Sequence, residues 1–319
     1  MDWTPGGMSE DVEDRRGSDD GGGGGGGGWG PGGGGGGIGI VGVLVLLVIS
    51  LITGRNYLGS FLAGGGGMAS HPQQAPYPQQ GPPPGYSTVP GSRSPGSTGT
   101  DRDAQLISFV LDDVQKTWTV QLPDQTGKPY RHAKLVLFTN ATRSGCGAAR
   151  AQTGPFYCPA DEKVYIDLSF WNELHHIGGS TADFAQAYVI AHELGHHVQN
   201  ILGIEQKVQQ LSGQNPAQRN PLSVDLELQA DCFAGVWAHS GEQRGFIHTS
   251  DVQDGLSAAA AVGDDHLQKM TRGTVSPESF THGTSAQRMG WFKRGLETGA
   301  IASCNTFKTG GELPSESSN

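Results

Sequence analysis

Two histidines four residues apart, His192 and His196, stand in the segment AHELGHHVQN, with Glu193 directly after the first. On a helix, residues four apart lie one above the other on one face. Both imidazoles are therefore offered to a single point, as two ligands of a tetrahedral Zn²⁺ must be. Glu193 is rotated off that line, so it stays away from the ion yet reaches a water beside it, the place of a general base. Gly195 keeps side-chain bulk out of the space between the two histidines. Five residues can match HExxH by chance, and a catalytic zinc also needs a third protein ligand and one open position.

About 30 residues downstream, DLELQADCFAGVWAH sets Glu227 and Asp231 four apart on a second helix. Glu227 is placed to be the third ligand. Asp231, one turn on, is placed to accept the other N–H of a liganding histidine and fix its tautomer. Carboxylates on an otherwise apolar helix need partners, because burying them unpaired is costly. A metal and an imidazole are such partners. The alternative is a solvated face, with Leu226, Ala230, Phe233, Ala234 and Trp237 building the core without the two acids.

These residues need rigid elements behind them. STADFAQAYVIAHELGHHVQNILG reads as a helix that Ser180 or Thr181 caps and Gly203 ends in the left-handed conformation. AQLISFVLDDVQKTWTVQL places Leu106, Phe109, Val110, Val114 and Trp118 at helical spacing. KLVLF (134–138) and KVYIDL (163–168) are short strand-like runs bounded by turn residues. Further helices are expected over 222–240, 251–268 and 284–298. Helices outnumber strands, and the strands cluster ahead of the HExxH helix. The expected class is α+β, a mainly helical domain with a small sheet.

Of the 319 residues, 52 are glycine, many of them in the first third of the chain. Residues 1–37 read as a disordered acidic and Gly-rich leader. IGIVGVLVLLVISLITG (38–54) carries no charge and reaches the lower limit for a bilayer-spanning helix. Residues 55–102, rich in Pro, Gly, Ser and Gln, read as a tether. The globular domain is expected over 103–308, followed by a disordered tail at 309–319. A net charge of −10 without any basic stripe argues against a nucleic-acid partner. Arg55 after the span and Arg15 and Arg16 before it leave the positive-inside count undecided.

The four cysteines form no CxxC pair. Cys146 and Cys158 flank one short loop region and can pair in an oxidising compartment, which leaves Cys232 with Cys304. Four buried free thiols are the alternative in a cytosolic protein. The possible disulfides favour a single-pass membrane protein with its domain on the extracytoplasmic (periplasmic) side.

VEDRR near the N-terminus, GPFYCPADEKVYID, YVIAHELGHHVQN, ELQADCFAGVW and THGTSAQRMGWF, in that order, resemble the bacterial "putative neutral zinc metallopeptidase" (YpfJ-like) family. The resemblance implies a zincin-like fold and a gluzincin-type site, with His192, His196 and Glu227 on zinc and Glu193 as base. THGTSAQRMGWF is also similar to a His-then-Arg segment of other gluzincins. That similarity implies His282 as an oxyanion donor and Arg288 as the partner of Asp231. A capping or surface role is the alternative for His282.

The resulting expectation is zinc-dependent hydrolysis of protein or peptide substrates without a covalent intermediate. KVYIDL would receive substrate as an added strand if it lies at the sheet edge. The alternatives are a zinc amidase acting on cell-wall peptides, or a membrane-tethered binding or quality-control protein whose zinc is structural. Of the other histidines, His197 is expected in packing, His175 and His176 in solvent, His239 near a helix end and His266 on an exposed helix face.

Overall fold

The computed structural model describes residues 1–17 and 97–307. Its strands are β1 (Val12–Asp14), β2 (Lys134–Phe138), β3 (Ala141–Ser144), β4 (Gly147–Arg150), β5 (Phe156–Cys158) and β6 (Lys163–Asp167). Its helices are α1 (Ser97–Thr126), α2 (Phe170–His176), α3 (Asp183–Leu202), α4 (Ile204–Gln214), α5 (Arg219–Gln243), α6 (Thr249–Ala261), α7 (Asp264–Arg272) and α8 (Ser285–Thr298). The α+β expectation holds, with helices in the majority.

α3, the HExxH helix, is the axis of the domain. Every residue from Phe184 to Gln199 is buried. A surface helix is apolar along one stripe, whereas a helix covered on all sides must be small or apolar nearly everywhere. Ala185, Ala187, Ala191 and Gly195 meet that demand, and helices α1, α5 and α6 together with β5 pack around α3. Gly203 takes the left-handed conformation at its end (φ 78°). The expected cap at the start is absent: Ala182 is the N-cap residue and makes no side-chain cap. Ser180 instead donates to Asp254, at 2.8 Å.

Helix α1 buries Leu106, Val110, Val114 and Trp118 completely, as their spacing predicts. The stretch 251–268 is not one helix but two, broken at Gly263, where an added Cβ would stand 2.4 Å from the Ser285 nitrogen. Close approach of another chain segment, invisible to local periodicity, selects glycine there.

The main sheet runs β1-β2-β6-β5. β1 and β2 are parallel, β2 and β6 parallel, and β5 is antiparallel to β6. Two expectations change here. KVYIDL, as β6, is an inner strand, because β2 and β5 occupy both its edges; the free edge near α3 belongs to β5. The first 17 residues are no disordered leader, since VED forms β1 in register with Leu135–Leu137. Glycine-dominated composition is confined to the stretch after them. The expected membrane span at 38–54, the tether and the tail lie outside the described residues, save that α1 begins within the expected tether. Among the described residues no helix is long and apolar enough to cross a membrane.

Both expected disulfides are formed, Cys146–Cys158 and Cys232–Cys304. The second ties the loop after α8 to α5 one residue beyond Asp231.

Candidate metal centre

Helices α3 and α5 meet where their backbones come closest. A Cβ at Gly195 would lie 3.0 Å from the Ala230 carbonyl oxygen. Gly195 thus serves the approach of the two helices rather than the gap between the histidines. That approach brings Glu227 onto the paired imidazoles. Its Oε2 lies 3.2 Å from His192 Nε2 and its Oε1 lies 3.6 Å from His196 Nε2. The three ligand atoms stand within 4.8 Å of one another, and all three residues are buried.

The donor set fits zinc. Ligands about 2.1 Å from one ion at tetrahedral corners stand about 3.4 Å apart, and the two distances above bracket that separation. Two neutral nitrogens and one carboxylate are also a catalytic type of donor set, where structural zinc sites take four protein ligands. Among the described residues these three are the whole candidate group.

Each histidine is oriented from behind. His192 Nδ1 lies 2.8 Å from Asp231 Oδ1. Asp231, with no exposed surface, also accepts from Tyr188 Oη (2.5 Å), Arg288 Nε (2.8 Å) and Arg288 Nη2 (2.9 Å). His196 Nδ1 lies 2.8 Å from Gln199 Oε1. Gln199 donates in turn to the Leu226 carbonyl (2.7 Å) and to Gln229 Oε1 (3.1 Å). In both cases Nε2 is left to face Glu227. The Asp231 and Arg288 relationships predicted from sequence are present; Tyr188 and Gln199 were missed. Their signal was available, since Tyr188 precedes His192 by four residues and Gln199 follows His196 by three, on the ligand face.

Charge at the centre follows from burial and these partners. Burial works against a charged His192, but the Asp231 carboxylate outweighs it and raises its pKa to about 10. Burial dominates at His196, whose pKa falls to about 4 despite Glu227. Glu227 is driven in opposite directions by burial and by the two imidazoles, and the imidazoles hold it well below the usual carboxylate range. A divalent cation held by His192, His196 and Glu227 would bind the neutral form of His192, in competition with its second proton.

Glu193 is 7 % exposed, and burial raises its pKa to about 7. The nearby Tyr157 backbone partly offsets that rise, which puts the free edge of β5 close to Glu193. A carboxylate with this pKa is matched to taking and returning a proton near neutrality.

His282 lies in the turn between α7 and α8, close enough to Glu227 for their charges to act on each other. Its Nδ1 faces Thr281 Oγ1 at 3.0 Å and Asp264 Oδ1 at 3.3 Å. Asp264 Oδ2 also accepts the backbone N–H groups of Thr281, His282 and Gly283, at 2.7, 2.6 and 3.0 Å. One buried carboxylate therefore shapes the whole turn and orients the ring. Burial disfavours charge on His282, yet Asp264 and Glu227 raise its pKa above the ordinary value. Nε2 makes no hydrogen bond with the described residues. Sequence reasoning missed Asp264, and eighteen residues of irregular spacing to His282 offered no periodic signal.

The remaining histidines divide. His197 is fully buried in packing, accepting at Nδ1 from Tyr157 Oη (2.9 Å) and donating from Nε2 to the Arg131 carbonyl (2.7 Å). His175 and His176 are exposed, on α2 rather than in a loop. His239 and His266 are half-buried and tie elements together, through the Leu296 and Ile177 carbonyls, each at 2.7 Å.

Comparison with known proteins bears on all of this. The sequence profile of the "Putative neutral zinc metallopeptidase" family matches residues 1–307. The chain is 47% identical to "Uncharacterized protein YpfJ" of Escherichia coli (strain K12) over 309 residues, 96% of this chain and 99% of that protein. It is 42% identical to "Uncharacterized protein Mb2605" of Mycobacterium bovis over 224 residues, 66% of this chain and 73% of that protein. No solved structure matches. With the profile spanning the first 17 residues, the sheet and every residue of the metal centre, the chain belongs to the "Putative neutral zinc metallopeptidase" family.

Proposed function

We infer that the protein is a zinc-dependent endopeptidase in which Glu193 is the general base and His282 the oxyanion donor. The observation that carries this reading is the convergence of His192, His196 and Glu227 beside the buried Glu193. Zinc, when bound by these three residues, acidifies water and polarises a carbonyl. The chain's own groups do the rest. Glu193 takes the proton of the attacking water and delivers it to the leaving amine. His282, doubly protonated and held at Nδ1 by Asp264, offers its Nε2–H to the carbonyl oxygen as charge builds there. An extended substrate joins the sheet at the β5 edge, where the Tyr157 backbone already faces Glu193.

The substrate in this reading is a protein or peptide. Association with a membrane is supported by the uncharged run 38–54, and an extracytoplasmic domain by the two disulfides. Zinc content and chelator-sensitive cleavage of a peptide library, measured side by side on wild type and Glu193→Gln, test the reading. The expected result is one zinc per chain in both and turnover in the wild type alone. Full turnover by the variant rejects Glu193 as the base.

A further inference from the structure

The first 17 residues are built into the domain by contacts of several kinds. β1 adds a parallel strand to β2, pairing Val12 with Leu135 and Asp14 with Leu137. Ser9 donates to Asp112 at 2.5 Å. Asp11 receives Gln115 (2.9 Å) and Lys134 (2.7 Å) and faces His132 (2.7 Å). Glu13 is 2.6 Å from Lys163 on β6. Trp3 donates to Asp183, the first residue of the HExxH helix, at 2.6 Å, and Arg102 lies over its ring. The arm thus touches α1, β2, β6 and α3.

This placement constrains where the chain can go between residues 17 and 97. The run 38–54 lies in that stretch, and read by composition it crosses a bilayer once. A single crossing puts the arm on one side and the domain on the other. The hydrocarbon core is about 30 Å thick, whereas paired strands lie about 4.8 Å apart. Strand pairing and a single crossing therefore exclude one another. Exchange of arms between copies does not resolve the conflict, because every copy in one membrane would carry its arm on the far side.

We propose that the arm and the peptidase domain lie on the same side of the membrane, the arm being a permanent strand of the enzyme. The family profile runs through the arm as it does through the domain, which is in keeping with one folded unit. Whatever compartment lets Cys146–Cys158 and Cys232–Cys304 form also receives the arm.

Two measurements on the full chain in bacterial membranes test this. Every native cysteine is in a disulfide, so a cysteine introduced at an exposed position gives an unambiguous label. Glu10→Cys on the arm and Lys269→Cys on α7 are both exposed. With a membrane-impermeant maleimide, both variants are expected to react in the same preparation, either intact spheroplasts or inverted vesicles. Reaction of one in spheroplasts and the other in inverted vesicles overturns the proposal. In the second measurement, Ser9→Cys with Asp112→Cys is oxidised in the membrane. The expected product is a peptide joining the two positions, found by mass spectrometry and lost on reduction. Absence of that link while the native disulfides are intact overturns it as well.

Discussion

Gly295 on α8 lies so close to Cys232 on α5 that a Cβ there would stand 1.9 Å from the Cys232 carbonyl oxygen. The relation is reciprocal, since a Cβ at Gly235 would stand 2.1 Å from the Phe292 carbonyl oxygen. Two helices meeting backbone to backbone set the depth at which Arg288 reaches Asp231. Gly295→Ala is expected to destabilise the fold by about 3 kcal/mol or more, because backbone cannot step aside as a side chain can. Denaturant unfolding monitored by the tryptophans checks this; a loss under 1 kcal/mol would show the crossing to be compliant.

Asp231 is expected to govern metal affinity through His192. Asp231→Asn removes the charge that Arg288 faces and disturbs the acceptor that fixes the His192 tautomer. Zinc affinity should fall about 10- to 100-fold. Competition against a chromogenic chelator measures it, and unchanged affinity would reduce Asp231 to a partner of Arg288 alone.

For His282, replacement by Phe should lower kcat about 10²-fold while zinc content stays at the wild-type level. Asp264→Asn should produce a smaller loss with a distinctive pH signature. Asp264 raises the His282 pKa, and the proposed mechanism uses the protonated ring, so activity is expected to fall as pH rises through that pKa. Removing the carboxylate moves this alkaline limb to lower pH. A limb that does not move assigns it to another group.

Glu205 offers a test of stability that is independent of catalysis. It is 4 % exposed, among the described residues its side chain has only a 3.4 Å hydrogen bond from Gln209, and burial raises its pKa to about 7. Its folded-state pKa lies above the unfolded one, so the native state binds the extra proton between about pH 4.5 and 7. Stability at this site is greatest below that window and declines as pH rises through it. Glu205→Gln should therefore stabilise the protein at pH 8 by on the order of 2–3 kcal/mol and change little at pH 4. Melting temperatures at the two pH values decide it; an equal shift at both would mean that the proton is not involved.

The parts of this protein written at helical spacing were readable in one dimension. His192, Glu193 and His196 share their geometry because 3.6 residues per turn is a local property, and Glu227 with Asp231 follow the same rule. The same periodicity held the signals of Tyr188 and Gln199, and the strand runs 134–138 and 163–168 showed as short apolar segments between turns. Composition misjudged the arm because its partners, β2 and β6, lie more than a hundred residues along the chain. Strand order likewise turned KVYIDL from an edge into an interior strand, since which neighbour covers an edge is a property of the assembled sheet. The carboxylate of Asp264 and the glycines at 195, 235, 263 and 295 owe their identity to close approach between distant segments. Sequence alone determined which atoms were available to hold a metal. Only the tertiary structure decided how near the helices stand, what holds each imidazole from behind, and that the first seventeen residues join the sheet, because these are distances between elements that no local period encodes.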